Sequence, residues 1–300
     1  MIVRLPNGDL LRGDVIKRLV VRSDLSPIPL TVEVDLRADD DLVRKLKPGV
    51  VMQAGPYDDP IAIVKSDVVV DRAVQGGRIL QTLRITALLE PVHRLAYLNH
   101  RAIVKEKAAL SVVYRSCGAS IRAITRDFQV PRFSVFAGQA ATFAIAQTLA
   151  EEGGVVRWKN GRMEFWRIAD LSRQEPSITF ADHSAEDQES PFIERHSIPA
   201  WWSIDAEGQA VIPDQDAQRP RRFVSRTDRS RLKNLSVRLV RRKIIKTALI
   251  GRAIAGDIAR LPGADDGLIV QTVAHVFESG TDGSGSSTYS RFWLSSEASI

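Results

Sequence analysis

The 300-residue chain contains a single cysteine, Cys117. One thiol cannot form an intrachain disulfide and cannot supply a cysteine-rich zinc site, so neither type of cross-link is available to this fold. Cys117 follows Leu110, Val113 and Tyr114 at helical spacing, which indicates a small residue on a buried helix face rather than a nucleophile. The stability of the protein must therefore come from apolar burial.

Long apolar runs are also missing. The longest stretch without charge covers residues 133–150, contains Gly138, Gln139 and Gln147, and ends at Glu151. Such polar positions are unfavourable in a bilayer, so we expect a loop that enters a buried helix, and no membrane anchor. The first six residues lack a basic region followed by a long apolar stretch, so we expect no secretory signal and synthesis in a cytoplasm.

Catalytic and cofactor-binding motifs are absent as well. The sequence has no glycine-rich phosphate loop, no His-Glu-x-x-His and no Gly-x-Ser-x-Gly motif. The histidines stand apart, without a second ligand at helical spacing: His93, His100, His183, His196 and His275. We therefore expect no enzyme, no cofactor and no metal. A peptidoglycan hydrolase stays open as an alternative, because one sequence does not show whether two carboxylates converge in space.

Charge is plentiful but unevenly placed. The formal net charge is 42 − 36 = +6. Residues 182–216 hold nine acidic residues and one basic residue, which gives −8, whereas residues 219–246 hold twelve basic residues and one acidic residue, which gives +11. The basic block could bind phosphate groups. It could also be a solvated strand face or a subunit contact neutralised by an acidic neighbour, and we favour this second interpretation.

The first hundred residues have the pattern of short antiparallel strands. Partly alternating runs rich in β-branched residues, separated by turn residues, occupy 15–22, 30–37, 50–54, 61–64 and 79–89. Apolar residues at every second position from Leu30 to Leu36 predict one buried and one polar face. Asp39 precedes a short apolar-periodic stretch, which predicts the start of a helix.

Between residues 105 and 171 the pattern changes to helices and a hairpin. The spacing predicts one helix over 105–117 and a second over 139–152, the latter with a buried stripe of Thr142, Phe143, Ala146, Leu149 and Ala150. Asn160 and Gly161 lie between two apolar-rich runs. They predict a type I′ hairpin over 155–168, because both turn positions need a positive φ.

The rest of the chain divides into a connector and a second β region. Residues 172–222 contain five prolines and show little periodicity, which indicates a linker with partial order, anchored at Trp201 and Trp202. Strands are predicted over 235–240, 267–277 and 287–295. The sequence thus predicts a mainly β chain with an α+β insert. We expect antiparallel β domains at 1–104 and 223–300, a helix-hairpin insert at 105–180 and an acidic, proline-containing connector at 181–222.

The order of these features resembles the baseplate hub proteins of phage tails. That family includes the late control D-type tail proteins and the N-terminal hub region of type VI secretion spike proteins. The matching residues form a pattern of sheet, helix and glycine positions: Val130-Pro131, Gly138-Gln139, Leu149–Gly154, Trp158–Phe165, Gly256-Asp257 and Gly267–Phe277. The resemblance covers most of the chain and is strongest over 105–171 and 247–295.

The resemblance implies a structural protein. Such hubs are homotrimers in which each subunit contributes two tube-like β-barrels, here residues 1–104 and 223–300, so that six barrels surround a channel. The trimer joins a six-fold tail tube to a three-fold spike in the baseplate of the virion. The implied partners are a tail tube protein, other baseplate proteins and a separate spike or tail-tip protein, because the chain ends at Ile300 without a spike domain. DNA would pass through the channel without specific binding.

The abutting acidic and basic blocks suggest a contact between subunits. Complementary charge across an interface sets register more than it adds affinity. The candidate intersubunit contacts are Arg221, Arg222, Arg226 and Arg229 on one side and Glu186, Asp187 and Glu189 on the other. The alternative is a nucleic-acid-binding or other interaction module, which predicts binding by residues 219–246 with a steep dependence on salt.

Overall fold

The computed structural model describes residues 1–75, 78–181, 185–187, 198–214, 219–225, 227–236, 239–263, 267–280 and 285–297. The strands are β1 Ile2–Arg4, β2 Ile16–Asp24, β3 Leu30–Arg37, β4 Val51–Gly55, β5 Asp59–Gln75, β6 Arg78–Leu89, β7 Ile103–Ala109, β8 Ile124–Arg126, β9 Gln129–Val135, β10 Gly154–Lys159, β11 Arg162–Arg167, β12 Ile178–Thr179, β13 Ala185–Asp187, β14 Ala200–Ile204, β15 Ala210–Val211, β16 Arg221–Phe223, β17 Leu239–Ala248, β18 Ile258–Arg260, β19 Leu268–Glu278 and β20 Ser287–Glu297. The helices are α1 Asp40–Lys45, a 3₁₀ helix Glu90–Ala96, α2 Leu110–Ser116, α3 Ala141–Glu151, α4 Ile168–Leu171 and α5 Arg229–Ser236.

Strands from both ends of the chain belong to one 12-stranded sheet. Its order is β1-β4-β5-β6-β3-β2-β19-β20-β17-β13, with antiparallel neighbours, and β18 and β12 attach beside β19. The two halves meet where β2 pairs with β19, from Asp24 opposite Thr272 to Arg18 opposite Glu278. The backbone N–H and C=O groups of β2 and β19 therefore form hydrogen bonds with each other, and we call this strand pairing the seam.

The predicted mainly β class with an α+β insert is confirmed. The strand pairings run as an open series from β1 to β13, and within the described residues no pairing closes either half into a complete barrel. The predicted alternation in β3 is also confirmed, since Leu30, Val32, Val34 and Leu36 are buried. Asp39 caps α1, accepting hydrogen bonds from the backbone N–H groups of Asp41 and Leu42 at 2.9 and 2.8 Å.

The predicted hairpin is present as β10 and β11. Asn160 and Gly161 have φ angles of 50° and 74°, as the tight turn requires. The helix predicted from Lys105 was wrong in its first part, because residues up to Ala109 form β7, where Lys105 lies opposite Phe133 of β9. The pairing of β7 with β9 overrides the helical spacing, and α2 begins only at Leu110.

The predicted buried stripe of α3 was partly wrong. Phe143 is 78% exposed and Ala146 is also exposed. The buried residues of α3 are Ala141, Ile145, Thr148 and Leu149. The reason is tertiary, since α3 packs on β9, β10 and the 3₁₀ helix through this other face.

Part of the connector and the following segment are regular structure. β14 pairs with β15 and with β16, so Trp201 and Trp202 lie within a three-stranded sheet. The strand predicted from Leu235 was wrong at its start, because Leu232 and Leu235 are buried on α5, which packs against β14 and α3. The next strand, β17, begins at Leu239.

Candidate assembly surface

One row of charged side chains across the large sheet alternates in sign from strand to strand. In one row across the sheet, Glu278 of β19 lies opposite Arg18 of β2, and Arg18 lies opposite Asp35 of β3. The row continues with Arg84 of β6 and Asp67 of β5. Residues directly opposite each other in antiparallel strands have neighbouring side chains. We call this row the charge ladder.

Ion pairs join two of the four neighbouring pairs of the ladder. The guanidinium of Arg18 lies 3.6 Å from the carboxylate of Glu278, and that of Arg84 lies 3.2 Å from Asp35. Lys65, two residues before Asp67 on β5, lies 2.8 Å from its carboxylate. These side chains are solvated, so each pair contributes at most about 1 kcal/mol to stability. The five ladder residues carry three negative and two positive charges, and the neighbouring Lys65 balances the remaining negative charge.

The seam strand β19 is buried on both faces. Val273, Ala274, His275 and Val276 are consecutive buried residues. A strand that is buried on both faces has apolar residues at consecutive positions, and Gly267–Phe277 shows this pattern in the sequence. His275 is 3% exposed.

His275 is fully hydrogen-bonded inside the seam. Its Nε2 lies 2.9 Å from the carbonyl oxygen of Ala253, so Nε2–H donates and Nδ1 accepts from the Ser290 hydroxyl at 2.9 Å. Ser290 in turn accepts from the backbone N–H of Ile250. Burial lowers the pKa of His275, although the hydrogen bond to Ala253 acts in the opposite direction.

A polar cluster joins the insert hairpin to the rest of the molecule. Arg157 of β10 donates to Glu164 of β11 at 2.5 Å and to the carbonyl oxygen of Gly256 at 3.0 Å. Burial by itself raises the pKa of Glu164, but hydrogen bonds from Trp166 and Arg157 and the charge of Arg157 outweigh it, so the pKa is lowered. The cluster fixes the insert against the turn that precedes β18.

Trp158 makes a second connection, to the N-terminal half of the sheet. Its indole Nε1–H donates to the buried carboxylate of Asp59 in β5 at 2.7 Å. Burial raises the pKa of Asp59, and this hydrogen bond limits the rise. The hairpin therefore contacts both halves of the molecule through polar groups and not only through apolar packing.

Glu152, at the end of α3, connects the insert to α5. Its carboxylate accepts from Arg167 at 3.1 Å and from Arg231 at 2.9 and 3.0 Å. Asn234 donates to the carbonyl oxygen of Glu151 at 2.9 Å. The basic block is thus partly occupied within its own chain, because Arg231 belongs to it.

The candidate intersubunit contacts lie on different elements. Arg221 and Arg222 are exposed on β16 and Arg229 is exposed at the start of α5, whereas Arg226 lies outside the described residues. Glu186 is exposed on β13 opposite Ile244 of β17, and Asp187 is the next residue of β13. Glu189 lies outside the described residues. In the part of the chain that the structure describes, no ion pair joins these acids to these bases.

A surface pocket of about 550 Å³ lies where the 3₁₀ helix and the segment 97–103 meet the end of α2. The sequence alone does not predict this pocket. The available signal was the spacing of His93, Arg94, His100 and Arg101, four basic or titratable residues within nine positions. Only the folded chain shows that they surround one concavity.

No metal-binding cluster forms in the described parts of the chain. No group of three or more His, Cys, Asp or Glu side chains there could hold a metal ion. Cys117 is buried, and burial raises the pKa of its thiol to about 11, so the reactive thiolate is disfavoured. Within the same residues, no helix is both long enough and apolar enough to cross a bilayer.

Comparisons with known proteins identify the fold. No family model matches the sequence, and no curated protein matches it. Among solved structures, the 43 kDa tail protein of prophage MuSo2 from Shewanella oneidensis is similar, with a TM-score of 0.62 and 10% identity over 98% of this chain and 96% of that chain. The tail protein from Neisseria meningitidis MC58 gives a TM-score of 0.62 and 11% identity over 98% and 95%. This chain has the fold of phage tail proteins.

The same tail-protein fold extends to a secretion system. A component of the type VI secretion system of E. coli, itself described as similar to the T4 bacteriophage tail proteins gp27 and gp5, gives a TM-score of 0.56 and 9% identity over 95% of this chain and 74% of that chain. The similarity covers nearly the whole chain in each case. The resemblance stated from the sequence is therefore confirmed for the fold.

Proposed function

We propose that the protein is a structural hub of a phage or phage-like tail. In this proposal it forms a homotrimer in the baseplate of the virion and joins the six-fold tail tube to a three-fold spike or tip. It acts without catalysis, and its partners are the tail tube protein, a separate spike or tail-tip protein and other baseplate proteins. DNA passes through the central channel without being bound specifically.

The pairing of β2 with β19 is the observation that carries the proposal. This seam places the N-terminal and C-terminal strands side by side in one sheet. Three copies would supply six such halves, which matches a six-fold partner while the chains themselves keep three-fold symmetry. The fold of tail proteins supports the same assignment.

Open sheet edges support assembly with other chains. Among the described residues the large sheet ends at β13, which covers only residues 243–245 of β17, and at β1, where the N–H of Leu11 already donates to the carbonyl oxygen of Val3 and leaves only part of the edge open. Unpaired edge strands are templates for pairing with another chain, so a ring of copies would give them partners. One chain of the Francisella PdpA-VgrG complex is similar in fold, with a TM-score of 0.52 and 10% identity over 99% of this chain and 52% of that chain.

The native mass of the purified protein is the first test. Three chains of 33.2 kDa give about 100 kDa, and light scattering at increasing concentration should approach that value. Negative-stain images of the same sample should show a three-fold ring. A mass of one chain at every concentration, also in the presence of the tail tube protein, would contradict the proposal.

The charge contacts are tested by reversing the basic side. The variant Arg221→Glu, Arg222→Glu, Arg226→Glu and Arg229→Glu should remain folded and fail to assemble, because the acidic segment of the neighbour is then repelled. A matched control with the same change of charge reverses four exposed arginines elsewhere: Arg122, Arg132, Arg162 and Arg173. Equal oligomer masses for the two variants would remove the role assigned to Glu186, Asp187 and Glu189.

A further inference from the structure

Two cations lie directly opposite each other in the part of the large sheet that the C-terminal strands form. Lys246 of β17 pairs with Arg291 of β20 in the antiparallel register, so their side chains are neighbours on one sheet face. Both residues are exposed. Like charges in this arrangement repel each other and destabilise a strand pair. We call Lys246 and Arg291 the cation pair.

The cation pair shares its face of the sheet with the charge ladder, because Arg291 lies opposite Ala274 of β19, four residues before Glu278 on the same strand. Neither member of the pair forms a salt bridge with a described residue. Its positive charge is therefore not balanced by the described carboxylates. Four other cations of this face each form an ion pair with a carboxylate, at distances of 2.7–3.6 Å: Arg18 with Glu278, Arg22 with Asp24, Arg84 with Asp35 and Lys65 with Asp67.

The carboxylate closest to the cation pair in the described strand register belongs to Glu186. It lies on β13 opposite Ile244, one row of the sheet away from the pair. Glu186 is exposed and makes no salt bridge with Lys246 in the described chain. On the other side, the next row contains the uncharged residues Ala248 and Tyr289. The electric potential close to the pair is therefore positive.

Aromatic rings hold the two cations in position. The ammonium nitrogen of Lys246 lies 4.0 Å from the centre of the Tyr289 ring, and the guanidinium carbon of Arg291 lies 5.3 Å from the centre of the Trp293 ring. Tyr289 and Trp293 stand on opposite sides of Arg291 along β20, so the rings direct the two cations away from each other. A ring face attracts a cation without removing its charge, and N–H groups of both side chains stay available to donate.

We propose that the cation pair binds phosphate groups of duplex DNA. Each DNA strand supplies one negative charge per about 3.4 Å of helix axis, which suits two cations held a short distance apart. The bases are not contacted, because the cations occupy the ring faces of Tyr289 and Trp293. Binding is therefore independent of DNA sequence and weakens as salt is added. The inference does not depend on the proposed trimer, because both cations belong to one chain.

Duplex DNA fits this surface better than an acidic protein segment does. Protein interfaces depend on apolar anchor residues that become buried, whereas cations alone supply most of the affinity for DNA in non-specific binding. The aromatic rings beside the pair are only partly exposed and are in contact with the cations. The small residues Ala248 and Ala274 adjoin the pair in the strand register, so a wide and rigid polymer can approach the cations.

Fluorescence anisotropy with a labelled DNA duplex of arbitrary sequence tests the contact. The full chain is titrated at several salt concentrations, and the slope of log K against log salt counts the phosphates that the protein neutralises. Replacing both cations, Lys246→Gln with Arg291→Gln, should make this slope shallower by about 1.8, which is about 0.9 for each of two phosphates. The loss of affinity should be the same for unrelated DNA sequences.

Two further variants serve as controls. Arg122→Gln with Arg132→Gln removes the same charge from exposed positions of the insert and should leave the slope unchanged. Lys246→Arg with Arg291→Lys keeps both charges in place and should retain the slope of the natural protein. Circular dichroism and urea unfolding should show that every variant is folded, because all four positions are exposed.

Three results would overturn the proposed site. The first is an absence of duplex binding by the natural protein at low salt. The second is an equal change of slope for the Lys246 and Arg291 variant and for the Arg122 and Arg132 control, which would mean that only net charge matters. The third uses poly-L-glutamate as the probe: binding as tight as that of the duplex, lost in the same variant, would assign the pair to an acidic protein. The oligomeric mass enters none of these measurements, so the hub proposal is tested separately.

Discussion

At the scale of single residues, Arg157 connects the insert hairpin to the turn at Gly256, which is far away in sequence. It is 3% exposed, pairs with Glu164, donates to Gly256, and lies 4.8 Å from the centre of the Trp166 ring. Removing one partner of a buried ion pair leaves an uncompensated charge, which typically costs more than the pair contributes.

We expect Arg157→Met to lower the free energy of unfolding by about 3–5 kcal/mol, because the Glu164 carboxylate, whose side chain is only 13% exposed, then lacks its cation. Arg162→Met is the matched control, since Arg162 is exposed on the same hairpin, and it should change stability by no more than about 0.5 kcal/mol. Urea denaturation measures both. Similar decreases in the free energy of unfolding for the two variants would show that the Arg157–Glu164 ion pair does not contribute to stability.

His275 makes stability depend on pH. Its pKa in the folded protein is below the ordinary value of 6.5, so the unfolded chain binds the proton more readily. Stability is therefore complete above pH 6.5 and falls as the pH decreases toward the folded pKa. Unfolding in urea across this window should show the loss in the natural protein. His275→Gln, which does not titrate, should show less of it, and identical pH curves would contradict the assignment.

At the scale of elements, α3 shows that helical spacing alone does not decide which face is buried. Ile145 lies in the core and Phe143 does not, although both are large and apolar. We expect Ile145→Ala to cost about 2–5 kcal/mol of stability. Phe143→Ser should stay within about 0.5 kcal/mol. Thermal or urea unfolding of the two variants measures the difference, and the reverse ranking would place the buried stripe where the sequence pattern put it.

Local chemistry determined which elements could be predicted. The Asn160-Gly161 turn, the Asp39 cap and the alternation in β3 depend on near neighbours, and the sequence contains all of that information. The start of α2 and the extent of α5 depend on β9 and β14, which are distant in sequence. The pocket combines the 3₁₀ helix, segment 97–103 and α2, so its shape depends on how those parts pack together.

At the scale of the whole molecule, the seam makes the two ends of the chain interdependent. β2 has β3 and β19 as its neighbours, and Arg157, Trp158 and Glu152 connect the insert to the other parts. We therefore expect the chain to unfold as one cooperative unit. Urea transitions followed by tryptophan emission and by far-ultraviolet circular dichroism should coincide. Different urea midpoints for the two signals would show that the pairing of β2 with β19 does not couple the unfolding of the two parts.

The charge ladder determines how far the electric field of the sheet reaches. Its signs repeat every two strands, a period of about 9.6 Å. The field of such a periodic array decays over the period divided by 2π, about 1.5 Å, which is much shorter than the Debye length of about 8 Å at physiological ionic strength. A charged group one or two water layers away from this row of residues therefore experiences little of its electric field.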